Sequence, residues 1–248
     1  MKRVWITATL AGVCLFFTAA APVEQNFARG ETLDYTLEWV HITGGKARMT
    51  IAPYSVDPTK YRITSVASST SGFSRIYKVK DELESIVERS NFSTTRYMKH
   101  IHEGSTRKDE ITVIANGVAT RKGKTYNVPS PVFDPISLVH YIRMQPLEVG
   151  HWFKFTVFAD KKLYSVTAYV RRTETIGTPM GEFKCLVVEP DMQGGGLYKD
   201  EDSKLTLWYS MDARHLPVRV RSDVKIGSIT MTLSGARDGV TSTDPNSK

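Results

Sequence analysis

Asp134, Ser137 and His140 stand at intervals of three and carry the carboxylate, hydroxyl and imidazole that a hydrolase uses to activate a nucleophile. Their crowding argues against that use. All three fall on one helical turn, the chain has no G-x-S-x-G elbow, and a hydroxyl in a first helical turn serves the backbone as a cap or local hydrogen bond. His100 and His102 point the same way on an alternating segment and, with Glu103, begin a zinc site. His41, His140, His151 and His215 offer no companion spacing to complete it, so the pair reads as a surface strand face. Cys185 sits among Phe183, Leu186 and Val187, with Lys184 on the opposite face, and reads as a small buried hydrophobe instead of a reactive thiol. Gly194, Gly195 and Gly196 lack the Lys and Ser/Thr of a phosphate loop, and residues 192–204 read as a loop. Asp200, Glu201 and Asp202 read as a solvated acidic turn instead of a calcium site. No catalytic residue, metal or cofactor is assigned from these patterns.

Large rings alternating along strands carry the remaining chemistry. Any one ring is by default core. If the inside of a curved sheet is not filled, however, such rings line an apolar cavity, and Trp39, Tyr141, Trp152, Phe155 and Trp208 are the expected ligand contacts.

The elements that position these residues follow from a period of two. Leu33, Tyr35, Leu37 and Trp39 alternate with Asp34, Thr36 and Glu38, as in a strand with one buried and one wet face. Gly44-Gly45 is expected to turn the chain into Ala47, Met49 and Ile51, making a hairpin. Similar segments follow at 61–68, 76–87, 97–102, 110–114 and 118–122, then at 151–158, 162–172, 182–189, 205–211, 216–224 and 227–233. Between the halves, residues 132–144 predict one helix: Asp134 is an N-cap, Pro135 suits the first position, and Ile136, Leu138, Val139 and Ile142 share a face. The fold class is therefore all-β and mainly antiparallel, a curved sheet or β-barrel or half-barrel of about twelve strands with one short inserted helix acting as a plug or lid.

The N-terminus predicts export. Lys2 and Arg3 precede an uncharged stretch that ends in Ala19-Ala20-Ala21-Pro22, the pattern of a cleaved signal. A retained membrane anchor fits less well, since no Lys or Arg follows the stretch, and a lipid-modified Cys14 is disfavoured by the bulky Val13. The expected organisation is a signal peptide at 1–21, one β domain at 22–235 and a disordered polar tail at 236–248, working in the periplasm with no transmembrane helix in the mature form. Cleavage leaves Cys185 as the single cysteine, so no internal disulfide holds the domain together. It also leaves 31 basic against 26 acidic residues, spread along the chain. That balance suggests weak attraction to anionic envelope material, and export argues against nucleic acid as partner.

Four stretches carry a family resemblance: residues 30–35 (GETLDY), residues 133–137 (FDPIS) leading through Tyr141 to Arg143, residues 172–181 (RTETIGTPMG) with Phe183, and residues 207–212 (LWYSMD) with Leu216, Pro217 and Val218. With these the chain resembles the exported bacterial proteins grouped as domain of unknown function 3108. The last stretch is also similar, at fold level only, to the closing hairpin of periplasmic lipoprotein carriers of the half-barrel type. The resemblance implies an exported β protein and brings no catalytic residues. The function expected from residues and resemblance together is a non-enzymatic binder or carrier of a lipid or other apolar or amphipathic envelope molecule. The alternatives are an assembly factor that binds another envelope protein and a hydrolase of envelope polymers.

Overall fold

The alternation of large apolar and polar residues organises the fold observed in a computed structural model, which describes residues 23–40, 42–75, 77–193, 204–223 and 227–239. The expected signal peptide lies outside the described residues, as do residues 194–203 and the end of the expected tail. A short helix, α1 (Val23–Arg29), leads into β1 (Glu31–Trp39), β2 (Ile42–Tyr54), β3 (Asp57–Ser69), β4 (Lys80–Glu88), β5 (Thr94–Glu103), β6 (Thr106–Ala115), β7 (Val118–Arg121) and β8 (Lys124–Asn127). After α2 (Pro135–Ile142) come β9 (Trp152–Ala159), β10 (Lys162–Thr178), β11 (Gly181–Gln193), β12 (Leu205–Ser210), β13 (Pro217–Asp223) and β14 (Ser228–Asp238). Strand β14 thus runs past Ala236, where the sequence suggests that a tail begins.

All strands join one antiparallel sheet in the order β8-β7-β6-β5-β4-β3-β2-β1-β14-β13-β12-β11-β10-β9. Strand β1 is central, paired with β2 on one side and β14 on the other. The two edges, β8 and β9, are neighbours in sequence, so the segment that holds α2 must travel from one edge to the other. This makes an open, strongly curved half-barrel.

Backbone and side chains from the insert and the turns draw the edges together. The Phe133 amide donates to the Thr156 carbonyl (2.9 Å), the Phe158 amide to the Phe133 carbonyl (2.8 Å), and the Thr94 amide to the Val132 carbonyl (2.8 Å). Tyr126 of β8 lies 5.5 Å from Phe158 of β9, and Lys99 of β5 pairs with Asp160 beyond β9 at 2.8 Å.

The concave side is occupied. Ile136, Leu138 and Ile142 of α2 pack with Ile51, Ile63 and Val87 from the first half and with Phe155, Val166, Val188 and Leu207 from the second. Helix α2 is a plug inside the core. A second cluster gathers Leu33, Tyr35, Met49, Cys185, Val187, Trp208 and Leu233, and Val139 packs against both. Alternate residues of β11 and β12 enter different clusters, so both faces of these strands are buried.

Two local expectations are corrected. Gly44 and Gly45 lie within β2, and the chain reverses earlier, at Val40. Their small size serves close approach: a Cβ on Gly45 would stand 2.7 Å from the Ser68 carbonyl oxygen, and one on Gly44 would stand 3.0 Å from the Phe73 ring. The segment read as a strand from residue 76 begins later, at Lys80, after a 3₁₀ turn (Phe73–Arg75). Helix α1 has no counterpart in the sequence reading, because Phe27 is the lone large apolar side chain among polar neighbours.

The Gly45→Ala variant is expected to lose about 1–3 kcal/mol, because backbone must move to admit the methyl group. Gly72→Ala, where a Cβ meets nothing within 4 Å, is expected to stay near wild type. Urea unfolding midpoints of the two variants check this difference.

Candidate functional site

The N-terminus of α2 is fixed first. The Asp134 Oδ1 accepts from the amides of Ile136 and Ser137, both at 3.0 Å, and the Ser137 hydroxyl accepts from the Asp134 amide at 2.9 Å, a reciprocal cap. The other carboxylate oxygen accepts from the hydroxyls of Ser85 (2.5 Å) and Thr94 (2.8 Å), which tie the helix to β4 and β5. Burial pushes the Asp134 carboxyl above its usual range, while the hydrogen bonds from Ser85, Ser137 and Thr94 pull it back.

The C-terminal end is fixed by charge. Arg143 follows Ile136 by seven residues, two helical turns, which places its guanidinium on the buried stripe. It is fully buried and grips Glu31 with two nitrogens, at 2.6 and 2.9 Å. Its Nε and Nη2 donate to the Arg214 carbonyl, and Nη1 stands 3.2 Å from His140 Nδ1. Since guanidinium only donates, Nδ1 must accept, so His140 is neutral with its proton on Nε2. Burial, and then Arg143, holds His140 well below the ordinary imidazole range. Tyr209 donates to the Val139 carbonyl at 2.9 Å, and Tyr35 donates to the Pro217 carbonyl at 3.0 Å. Glu31, Tyr35, Asp134, Ser137, Arg143, Tyr209 and Pro217 all belong to the stretches that carry the family resemblance. Three of the four stretches meet here, around the helix.

Beside this knot runs a file of aromatic rings. Tyr61 lies 5.7 Å from Phe92, Phe92 6.0 Å from Tyr141, Tyr141 4.6 Å from Phe133, Phe133 5.9 Å from Phe155, and Phe155 6.4 Å from Phe153. Each separation lies in the range of favourable ring contacts. Tyr141 and Phe153 are half-buried. At the Tyr61 end, an open groove of about 710 Å³ is lined by Ala28, Pro58, Thr59, Tyr61, Glu88, Arg89 and Ser90, and the Arg89 guanidinium lies 4.9 Å from the centre of the Tyr61 ring.

Of the five rings expected as ligand contacts, the structure brings together Tyr141 and Phe155, whose centroids are 5.8 Å apart. Trp208 faces the second cluster and donates to Glu174 at 2.7 Å. Trp152 stands exposed at the outer end of β9, and Trp39 packs edge-on against Phe73 at the far end of β1. Phe27 and Phe92, fully buried members of the cluster, escaped the sequence reading because each is an isolated ring in a polar stretch.

The remaining polar patterns do not assemble catalytic geometry. Ser137 is buried, and its hydroxyl bonds to the Asp134 backbone and sits beside Thr94, not His140. His100 pairs with Asp109 at 2.5 Å, and among the described residues no three His, Cys, Asp or Glu converge as metal ligands. Burial pushes the Cys185 thiol up to about 12, which leaves it protonated. The glycine run and the acidic turn at 200–202 lie outside the described residues.

His140 gives a pH signature. Its folded value lies below the unfolded one, about 6.5, so the unfolded chain takes up a proton first as pH falls. The stability present above pH 6.5 is therefore lost progressively below it. His102 shifts the same way, through partial burial and then Arg107 and Lys78, but on a half-buried strand that the solvent reaches. Denaturant midpoints measured from pH 7 to pH 5 are expected to fall in the wild type and to fall less steeply in His140→Leu.

The fold is shared with a known structure. The β-barrel-like DUF1849 protein of Brucella abortus superposes with a TM-score of 0.58 at 9% identity, over 86% of this chain and 99% of that one. The hypothetical protein CT021 of Chlamydia trachomatis gives a TM-score of 0.40 at 10% identity, covering 92% and 98% of the two chains. The lipoprotein LppX of Mycobacterium tuberculosis gives 0.24 at 14% identity, over 88% and 91%. The last two likenesses are too slight to argue from. No curated protein matches the chain. Residues 32–234 match the family described as protein of unknown function DUF3108, and the chain belongs to that family.

Proposed function

We propose that this is an exported, non-enzymatic protein that holds the apolar part of an amphipathic envelope molecule at the open groove beside α1. The observation that carries this reading is the continuous file of rings from Tyr61 to Phe153, half-buried at Tyr141 and Phe153. Because α2 and its neighbours fill the concave side, the ligand's chain lies at the mouth, against Tyr61, from which the ring file leads through Phe92 to the half-buried Tyr141, and does not enter the barrel. An anionic headgroup finds Arg89 at the rim, next to Glu88, and the Tyr61 ring with Ala28 and Pro58 accepts an acyl or isoprenoid chain. Export rests on the sequence at 1–21, and the periplasm is the compartment in which such a binder works. Among the described residues no helix is long and apolar enough to cross a membrane.

A second reading, an assembly factor for another envelope protein, is favoured by β9. It is a sheet edge whose outer side Phe133 covers only around residues 156–158, while Trp152 and Lys154 stay exposed.

The test is organic extraction of protein purified from the envelope, followed by mass spectrometry. An amphipathic molecule should co-purify in amounts comparable to the protein and fall by about fivefold or more, roughly 1 kcal/mol, in an Arg89→Ala, Tyr141→Ala double variant that keeps the wild-type circular dichroism spectrum. Empty wild-type protein, or equal occupancy in the variant, contradicts the reading.

A further inference from the structure

The end of β1 opposite α1 carries apolar side chains that the fold does not bury. Trp39 is paired across the sheet with Ile42 on β2 and with Ile229 on β14, so the three form one rung and project from one face. They are 38%, 62% and 45% exposed. The turn beyond them is held by Val40, 48% exposed and at a positive φ of 47°. A β-branched residue is costly there and Gly or Asn is favoured, so an apolar residue occupies a turn tip against local preference. Phe73 sets its ring edge-on to Trp39 at 6.2 Å and extends the patch. Single exposed apolar side chains are ordinary, but a contiguous set marks a contact surface.

The charges around this patch indicate what it contacts. Arg75 closes the 3₁₀ turn that begins at Phe73, and exposed Lys78 and Lys80 follow it. Arg107 reaches the same corner, donating to the Gly104 carbonyl, and the Gly104 amide donates to the Lys78 carbonyl. Against these four stand Asp81, Glu103 and, next to Trp39, Glu38; Asp81 and Glu103 hydrogen-bond to each other, and burial, then Asp81, pushes the Glu103 carboxyl up. The balance is basic. Two copies of a basic rim repel each other, which disfavours self-association through this face, whereas an aromatic and aliphatic tip ringed by Lys and Arg suits the boundary between acyl chains and anionic headgroups.

We propose that the tip formed by Trp39, Val40, Ile42, Phe73 and Ile229 docks on an anionic membrane surface, with Arg75, Lys78, Lys80 and Arg107 against the headgroups. Docking occurs at the opposite end of β1 from the groove and stands whether or not the groove holds a ligand. The attraction of these few basic residues to the headgroups is reversible and weakens with salt.

The test is co-sedimentation of the exported protein, as the cell makes it, with vesicles of pure phosphatidylcholine and of a phosphatidylglycerol-rich mixture. Wild type should bind the anionic vesicles more tightly, and less so at high salt. Ile42→Ser with Ile229→Ser, and separately Lys78→Glu with Lys80→Glu, should each weaken binding by about tenfold or more. Val56→Ser, exposed at the opposite end of the sheet, should bind as wild type does, which controls for the loss of an exposed apolar side chain anywhere; the double variants keep the N-terminal stretch, so their loss of binding excludes attachment through it alone. All these positions are exposed, so folding is retained and circular dichroism confirms it. Equal binding by wild type and both double variants overturns the proposal. So does equal affinity for neutral vesicles, or a dimer that Ile42→Ser dissolves without any vesicle binding.

Discussion

A guanidinium closed on a carboxylate in the dry interior governs where everything else in this molecule sits. Arg143 and Glu31 are both buried, and taking two charges out of water is tolerable only when every donor finds an acceptor. Arg143 meets that demand with Glu31, the Arg214 carbonyl and His140. Removing one partner of such a pair typically costs about 3–5 kcal/mol, because the other charge is left buried alone. The pair specifies position more than it adds net stability. It ties the end of the inserted helix to the start of the central strand, and through Arg214 to the turn between β12 and β13.

That tie makes sense of the open sheet. An edge exposes unpaired backbone groups, and here the edges are β8 and β9, far apart in pairing order but adjacent in sequence. The insert between them supplies Val132 and Phe133 to β5 and β9, then turns inward as α2. Its cap bonds to β4 and β5, its apolar face fills the concavity, and its last turn locks onto β1. One segment therefore occupies the gap, the core and the mouth. The aromatic file is a consequence, since the rings of the insert meet those of α1, β3 and β9 at the end where the helix is held.

Much of this was legible in the sequence. Alternation gave the strands and their antiparallel class, and Asp134-Pro135 gave the start of the helix within a residue. What was not legible has physical causes. Alternation tells which residues share a face but not which face lies inside, so Trp208, Trp152 and Tyr141 read alike although one enters the second cluster, one stands in solvent and one joins the ring file. Glycines in pairs read as turns, yet Gly44 and Gly45 serve close packing of β2 on Ser68 and Phe73. Glu31 and Arg143 are charged, and alternation alone does not mark a charged residue as buried. The seven-residue spacing from Ile136 was the available sign that Arg143 faces inward.

The central claim is that α2 is an integral plug, locked to β1, and not a lid that lifts to admit a ligand. Native-state hydrogen exchange measures this directly, since elements that open separately exchange with separate free energies. The amides of Leu138 and Arg143, bonded within the helix to Asp134 and His140, should exchange with the same opening free energy and denaturant dependence as those of β1, as one cooperative unit. Exchange of α2 through a smaller, denaturant-independent opening while β1 stays protected would contradict the account.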